Sequence, residues 1–85
     1  MTKDECITNA IATRILKLCE EKQVSINQLA QKSILTQSTI QNIVTRKSKN
    51  PKLRTIILIC YGFNISLYDF FDDDIFHDLD KRIIV

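Results

Sequence analysis

Apolar residues recur along this chain at helical intervals, separated by short polar breaks. Ile7, Ile11, Ile15, Leu18 and Cys19 fall on one stripe of a segment from Lys3 to about Lys22, the spacing of an amphipathic helix. Thr2, with Glu5 three positions on, makes a capping box at its start. Arg14, Lys17 and Glu21 fall off the stripe and are expected in solvent, with Leu16 partly exposed. A second helix is predicted from about Ile26 to Lys32, opened by the capping box of Ser25 and Gln28. A third begins after Thr36 and runs to about Thr45, with Ile40 and Ile43 inward. Asn50-Pro51 reads as an N-cap followed by the first helical residue. The fourth helix then runs from Pro51 to Phe63, with Leu53, Ile56, Ile59, Cys60 and Phe63 inward and Asn64 in the left-handed closing position. Ser66 and Asp69 form a further capping box and open a short fifth helix, LYDFF. Beyond Phe71 the sequence DDDIFHDLDKRIIV reads as an acidic tail, in which Asp74 could cap one more turn from Ile75 to Leu79. The expectation is an all-α, compact five-helix domain over residues 1–71 and a tail over 72–85.

The stretch that organises this pattern is Ile26 to Thr45. Leu29 and Ala30 sit on the second helix, Ile40 and Ile43 on the third, and the break between them is too short for a loop. Two helices this close cross steeply, and Ala30 is small enough to admit the second backbone. Those are the requirements of a helix-turn-helix. The outward side of the third helix carries Gln37, Ser38, Gln41, Asn42 and Thr45. These short, uncharged groups both donate and accept hydrogen bonds, as base edges in a major groove require. The plainer reading is that they keep an exposed helix soluble.

Charge sharpens the picture. The net charge of the 85 residues is only +2. From Lys22 to Tyr68 the charged residues are all basic: Lys22, Lys32, Arg46, Lys47, Lys49, Lys52 and Arg54. From Asp69 to Asp80 they are all acidic: Asp69, Asp72, Asp73, Asp74, Asp78 and Asp80. The plain reading is a solvated surface; the sharper one is a basic working face and an acidic far end. The crowding of cations between Arg46 and Arg54, directly after the third helix, favours the second.

Composition excludes several classes. A hydrophobic share of 45% suffices for one small core, and Gly and Pro occur once each, too seldom to punctuate hairpins. The longest apolar run, Ile56 to Tyr61, falls far short of the ~20 residues of a membrane span. MTKDEC lacks the apolar segment of a signal peptide, so a cytoplasmic location is expected. Cys6, Cys19 and Cys60 fit neither a zinc pattern nor a disulfide framework. His77, the one histidine, lies among Asp74, Asp78 and Asp80, but the calcium-loop pattern needs a Gly that is absent there. No catalytic constellation, metal site or cofactor site is expected. The six aromatics all lie between Tyr61 and Phe76, where they are expected to close the bottom of the bundle.

With these residues in place, the chain resembles the lambda-repressor-like family of Cro/repressor, or XRE-type, helix-turn-helix proteins. The resemblance covers residues 11–71, with the motif at 26–45, and rests on SINQLAQKSILTQSTIQNI, NPKLRTI and FNISLYDFF taken together. It implies a five-helix domain that binds double-stranded operator DNA, usually as a homodimer, with helix three in the major groove. Carried over by position, Gln37, Ser38 and Asn42 match base-reading positions, and Gln41 and Thr45 match flanking contacts. Thr36 and the loop with Arg46, Lys47 and Lys49 match phosphate contacts. The chain departs from the pattern at Ile34, where the turn commonly carries Gly, and at Asn64, where helix four commonly ends on Gly. Leu16, Ile26, Val44 and Leu58 are apolar at commonly polar positions, and local burial is the favoured explanation.

Two functional readings follow. One is a sequence-specific transcriptional regulator, most simply a repressor. The other is a protein-interaction module, such as an antitoxin or adaptor, that works through its surface or its C-terminal segment. The basic loop discriminates, since a protein-binding module has no need of clustered cations beside an uncharged polar helix face.

Overall fold

The computed structural model describes residues 2–84. Among these residues six helices follow one another: α1 (Lys3–Lys22), α2 (Ile26–Ser33), α3 (Gln37–Val44), α4 (Leu53–Phe63), α5 (Leu67–Phe71) and α6 (Asp74–Ile83). The all-α expectation holds, with one helix more than the sequence suggested. Helices α2 and α3 form the helix-turn-helix; α4 packs on α2, α1 on α3, and α6 returns along α1. Ile15, Leu29, Ile40, Ile59 and Phe70 lie fully buried where these elements meet. No described helix is long and apolar enough to cross a membrane.

One device ends α1, α2 and α4 alike. Gln23, Ile34 and Asn64 each take a left-handed conformation, with φ of 54°, 58° and 59°. The next amide, of Val24, Leu35 or Ile65, reaches back to the carbonyl of Cys19, Ala30 or Cys60 at 2.9–3.0 Å. This is the Schellman closure, in which an apolar residue past the left-handed one turns inward. A Ser or Thr follows at once (Ser25, Thr36, Ser66) and caps the next helix. Each junction is thus left-handed residue, apolar anchor, hydroxyl cap, which is why the breaks are so short.

Ile34 is the costly member of this set. A β-branched side chain at φ 58° loses on the order of 1–2 kcal/mol. Its side chain is 77% exposed and buries little in return. Ile34→Gly is therefore expected to stabilise the domain by about 0.5–1 kcal/mol, the relief of strain less the extra entropy of an unfolded Gly. A rise in the urea midpoint at unchanged m-value would show it; an unchanged midpoint would mean that the strain relieved is no larger than the entropy an unfolded Gly adds.

Several sequence expectations need correction. Arg14 was expected in solvent but is 8% exposed, because α6 covers that side of α1. Burial on α1 is correspondingly broader than one stripe: Ala10 and Ala12 are buried, whereas Ile7, Ile11 and Cys19 are only half-buried. Helix α4 starts two residues later than expected, with Lys52 as N-cap and no side-chain cap bond, so Asn50 does not cap it. Leu53, expected inward, is 60% exposed at the helix's first turn. Ser66 caps α5 through the Asp69 amide at 3.0 Å, without the return bond of a full box. Of the apolar departures from the family pattern, Val44 is buried and Ile26 and Leu58 half-buried, as local packing predicts, while Leu16 remains exposed.

The acidic tail is corrected most. Residues 74–83 are a helix, N-capped by Asp73 rather than Asp74. Ile75, Phe76, Leu79 and Ile83 supply the inward side. Asp73 binds in two directions: Oδ1 accepts from the Ile75 amide at 3.0 Å, and Oδ2 accepts from Arg14 at 3.2 Å and Lys17 at 2.7 Å. The Arg14 guanidinium also donates to the carbonyls of Phe70 at 2.7 Å and Asp69 at 2.8 Å. One buried cation therefore ties α1 to the end of α5 and the start of α6. Phe70, Phe71 and Phe76 close this end, with ring centroids 4.8–5.9 Å apart. Tyr61 and Tyr68 stand outside that cluster, exposed.

Candidate nucleic-acid interface

Helix α3 is two turns long and cannot hold itself in water; packing must hold it. Ile40, Ile43 and Val44 are buried and fix its inner side. At ~100° per residue, that leaves Gln37, Ser38, Gln41 and Asn42 outward, and all four are exposed. Thr45 follows as the C-cap, also exposed, and its hydroxyl donates to the Gln41 carbonyl at 2.7 Å. With that proton engaged, Thr45 offers a partner its methyl group and the accepting side of its hydroxyl. The five residues expected to read bases therefore share one solvent-facing strip.

At the start of α3, Thr36 accepts from the Thr39 amide at 3.2 Å and shares a 2.8 Å bond with the Thr39 hydroxyl. The amides of Gln37 and Ser38 belong to the first turn, which has no helical acceptors for them. An anion at this end meets those amides and the positive end of the helix dipole.

The loop after α3 is folded back by three ties. Ser48 N–H donates to the Asn42 carbonyl at 2.9 Å, and the buried Thr8 donates its hydroxyl to the Lys49 carbonyl at 3.2 Å. Arg46 supplies the third. Its backbone is left-handed, φ 67°, and its guanidinium turns onto α1. Nε donates to Asn9 Oδ1 at 3.0 Å, Nη1 to the Val44 carbonyl at 2.9 Å, and Nη2 more weakly to Thr13 Oγ1 at 3.4 Å. Of the expected phosphate ligands, then, Arg46 is already engaged within the fold. Lys47 and Lys49 are exposed and take part in no ion pair among the described residues. Lys49 lies near Glu5, whose carboxyl is held below its usual range, first by the Thr2 amide and hydroxyl and less by the Lys49 charge. Lys52 and Arg54 extend the exposed basic surface toward α4.

The roles of Thr8, Asn9 and Thr13 were not legible in the sequence. Asn9 and Thr13 are simply polar residues four apart on α1, and nothing local marks them as partners of a residue over thirty positions away. The separation into a basic face and an acidic far end is also only partial. Asp78 and Arg82 of α6 line a cleft with Cys6 and Asn9, the same Asn9 that holds Arg46. Among the described residues no three His, Cys, Asp or Glu side chains converge to hold a metal ion.

Comparison with known proteins fits this geometry. Residues 14–74 match the model of the Cro/C1-type HTH DNA-binding domain. A solved structure of a point mutant of the restriction-modification controller protein C.Esp1396I is similar, with a TM-score of 0.70 and 30% identity over 91% of this chain and 90% of that one. No curated protein matches the chain. The match spans most of the chain and contains α2, the turn and α3 with the polar strip: this protein belongs to the Cro/C1-type helix-turn-helix DNA-binding family and is a DNA-binding transcription regulator.

Proposed function

We propose that the protein is a sequence-specific repressor that acts as a homodimer, with α3 of each copy in the major groove of operator DNA. The observation that carries this reading is the exposed uncharged strip Gln37, Ser38, Gln41, Asn42 and Thr45, flanked by Lys47 and Lys49, which are in no ion pair among the described residues. The strip lacks Arg and Lys, so the commonest guanine contact is missing from it. Gln and Asn suit the paired donor and acceptor of adenine, and the Thr45 methyl suits that of thymine. Phosphates fall to Lys47, Lys49, Thr36 and the first-turn amides of α3. The solved structure it resembles is that of a restriction-modification controller protein, and control through occupancy of an operator needs no catalytic step.

We place the second copy on α4. Leu53, Ile57 and Tyr61 stand 60%, 46% and 66% exposed at four-residue intervals along it. A two-fold axis at Ile57 sets two α4 helices antiparallel, with Leu53 of one copy opposite Tyr61 of the other.

Selection of bound sequences from a random DNA pool, followed by titration of the best site, tests the proposal. The expected winners are A·T-rich half-sites with centres one helical turn apart. Log affinity should fall against log salt with a slope of about −4 at least, for the roughly four phosphates neutralised by Lys47 and Lys49 of a dimer. Gln37→Ala and Asn42→Ala should each cost roughly 1–3 kcal/mol on that site without unfolding the domain. Binding curves of both variants that overlay the parent would end the recognition assignment, and a slope near zero on every DNA would end DNA binding itself.

A further inference from the structure

Both ends of α3 are held by a residue in an unfavourable backbone region: Ile34 before it and Arg46 after it. At Arg46 the fold gains something specific in exchange. The left-handed turn brings the guanidinium back across the end of α3 and onto Asn9 and Thr13, which are one turn apart on a single face of α1. One of its nitrogens binds the Val44 carbonyl, in the last residue of α3, and another binds α1. Arginine can only donate, so the Asn9 atom facing Nε is fixed as the amide oxygen. Lysine cannot make these contacts, because they require a planar fork with donors in set directions.

We infer that Arg46 is a positioning residue for the reading helix: it clasps the exit of α3 to α1 and sets the angle at which Gln41, Asn42 and Thr45 meet DNA, while phosphate contact falls to Lys47 and Lys49. This rests on the DNA-reading role proposed above. A two-turn helix has no stiffness of its own to set that angle. A recognition site half an ångström loose loses selectivity before it loses affinity, since non-specific binding needs only charge near phosphate. Asn9 belongs to the clasp and carries no charge. A substitution there therefore separates positioning from phosphate binding.

Two measurements on the full chain test the inference. The first needs no DNA. Amide hydrogen exchange of Asn42 to Thr45 should quicken about tenfold in Arg46→Lys and in Asn9→Ala, while α4 amides stay as protected as in the parent. Unchanged exchange in both variants would overturn the clasp whatever the protein binds. The second compares affinity for the best selected site with affinity for unrelated DNA. Arg46→Lys and Asn9→Ala should each lower that ratio about tenfold at an unchanged salt slope, and the double variant should lose little more than either single one. The inference is overturned if Arg46→Lys keeps the parent's ratio, if Asn9→Ala is silent, or if Arg46→Gln merely flattens the slope by about two, one for each copy of the dimer, since those are the marks of a phosphate ligand. A parent that binds no DNA would remove the repressor reading and the positioning role with it, leaving the exchange result to report the clasp alone.

Discussion

Gly62→Ala should cost about 2–3 kcal/mol of stability, although Ala is the better helix former. Gly62 is the only glycine in the chain, and its φ is ordinary for a helix. What requires it is proximity. A Cβ at this position would overlap Ser33 Oγ and lie 3.1 Å from the Ser33 nitrogen and 3.2 Å from Leu29 Cδ1. The hydroxyl could rotate, but the backbone of α2 cannot move without tilting the first helix of the motif. Ser33 is fully buried and its hydroxyl has no hydrogen-bond partner among the described residues. A buried unpaired hydroxyl is itself unfavourable, so Ser33→Ala alone should leave stability unchanged or raise it by about 1 kcal/mol. The double variant should lose less than the two single effects predict, because the worst overlap is gone. Urea unfolding of the four proteins provides the cycle. Simple additivity would show that the close approach of α2 and α4 is not what needs the glycine.

Arg14→Met is expected to be at least as damaging, at about 3–5 kcal/mol, since it leaves a mostly buried carboxylate without its buried partner. It also strips the carbonyls of Asp69 and Phe70 of their donor. Asp73→Asn should cost less, about 1–2 kcal/mol, because the amide oxygen can still cap α6. The pH dependence separates these contributions. The Asp73 carboxyl is held below its usual range, first by the Ile75 amide and then by the Lys17 ammonium. Its depressed value means that this stabilisation is fully present above the unfolded value of about 4 and is lost as pH falls through the lower folded value. Below pH ~4 the parent should thus lose a component of stability that Asp73→Asn never had, and the two unfolding curves should converge. Parallel curves down to pH 2 would show that Asp73 does not hold α6 through its charge.

Most of the motif was legible because its signals are local. Ser25 with Gln28, and Thr36, mark helix starts within three residues of themselves, and Ile40 and Ile43 mark an inner side by spacing alone. The same holds for Gln37, Ser38, Gln41 and Asn42, which face solvent because their neighbours do not. Ile34 was legible as a departure only through the family resemblance, which has Gly there and left either a strained turn or one built differently; the structure gives Ile34 the left-handed conformation.

What only the tertiary structure decided involves residues whose partners are distant in the chain. Arg14 and Asp73 each look like surface charges, and the six aspartates look like a solvated block. Only when α6 lies along α1 do two of these charges become a buried tie. Gly62 has no local role and is explained by Ser33 across the α2–α4 contact. Arg46 reads as one more cation in a basic loop until Asn9 and Thr13 are seen to hold it. By itself the sequence determined where helices start, stop and face, since capping and amphipathicity act over three or four residues. The tertiary structure decided which polar groups are withdrawn from solvent, because that depends on which surface comes to lie opposite them.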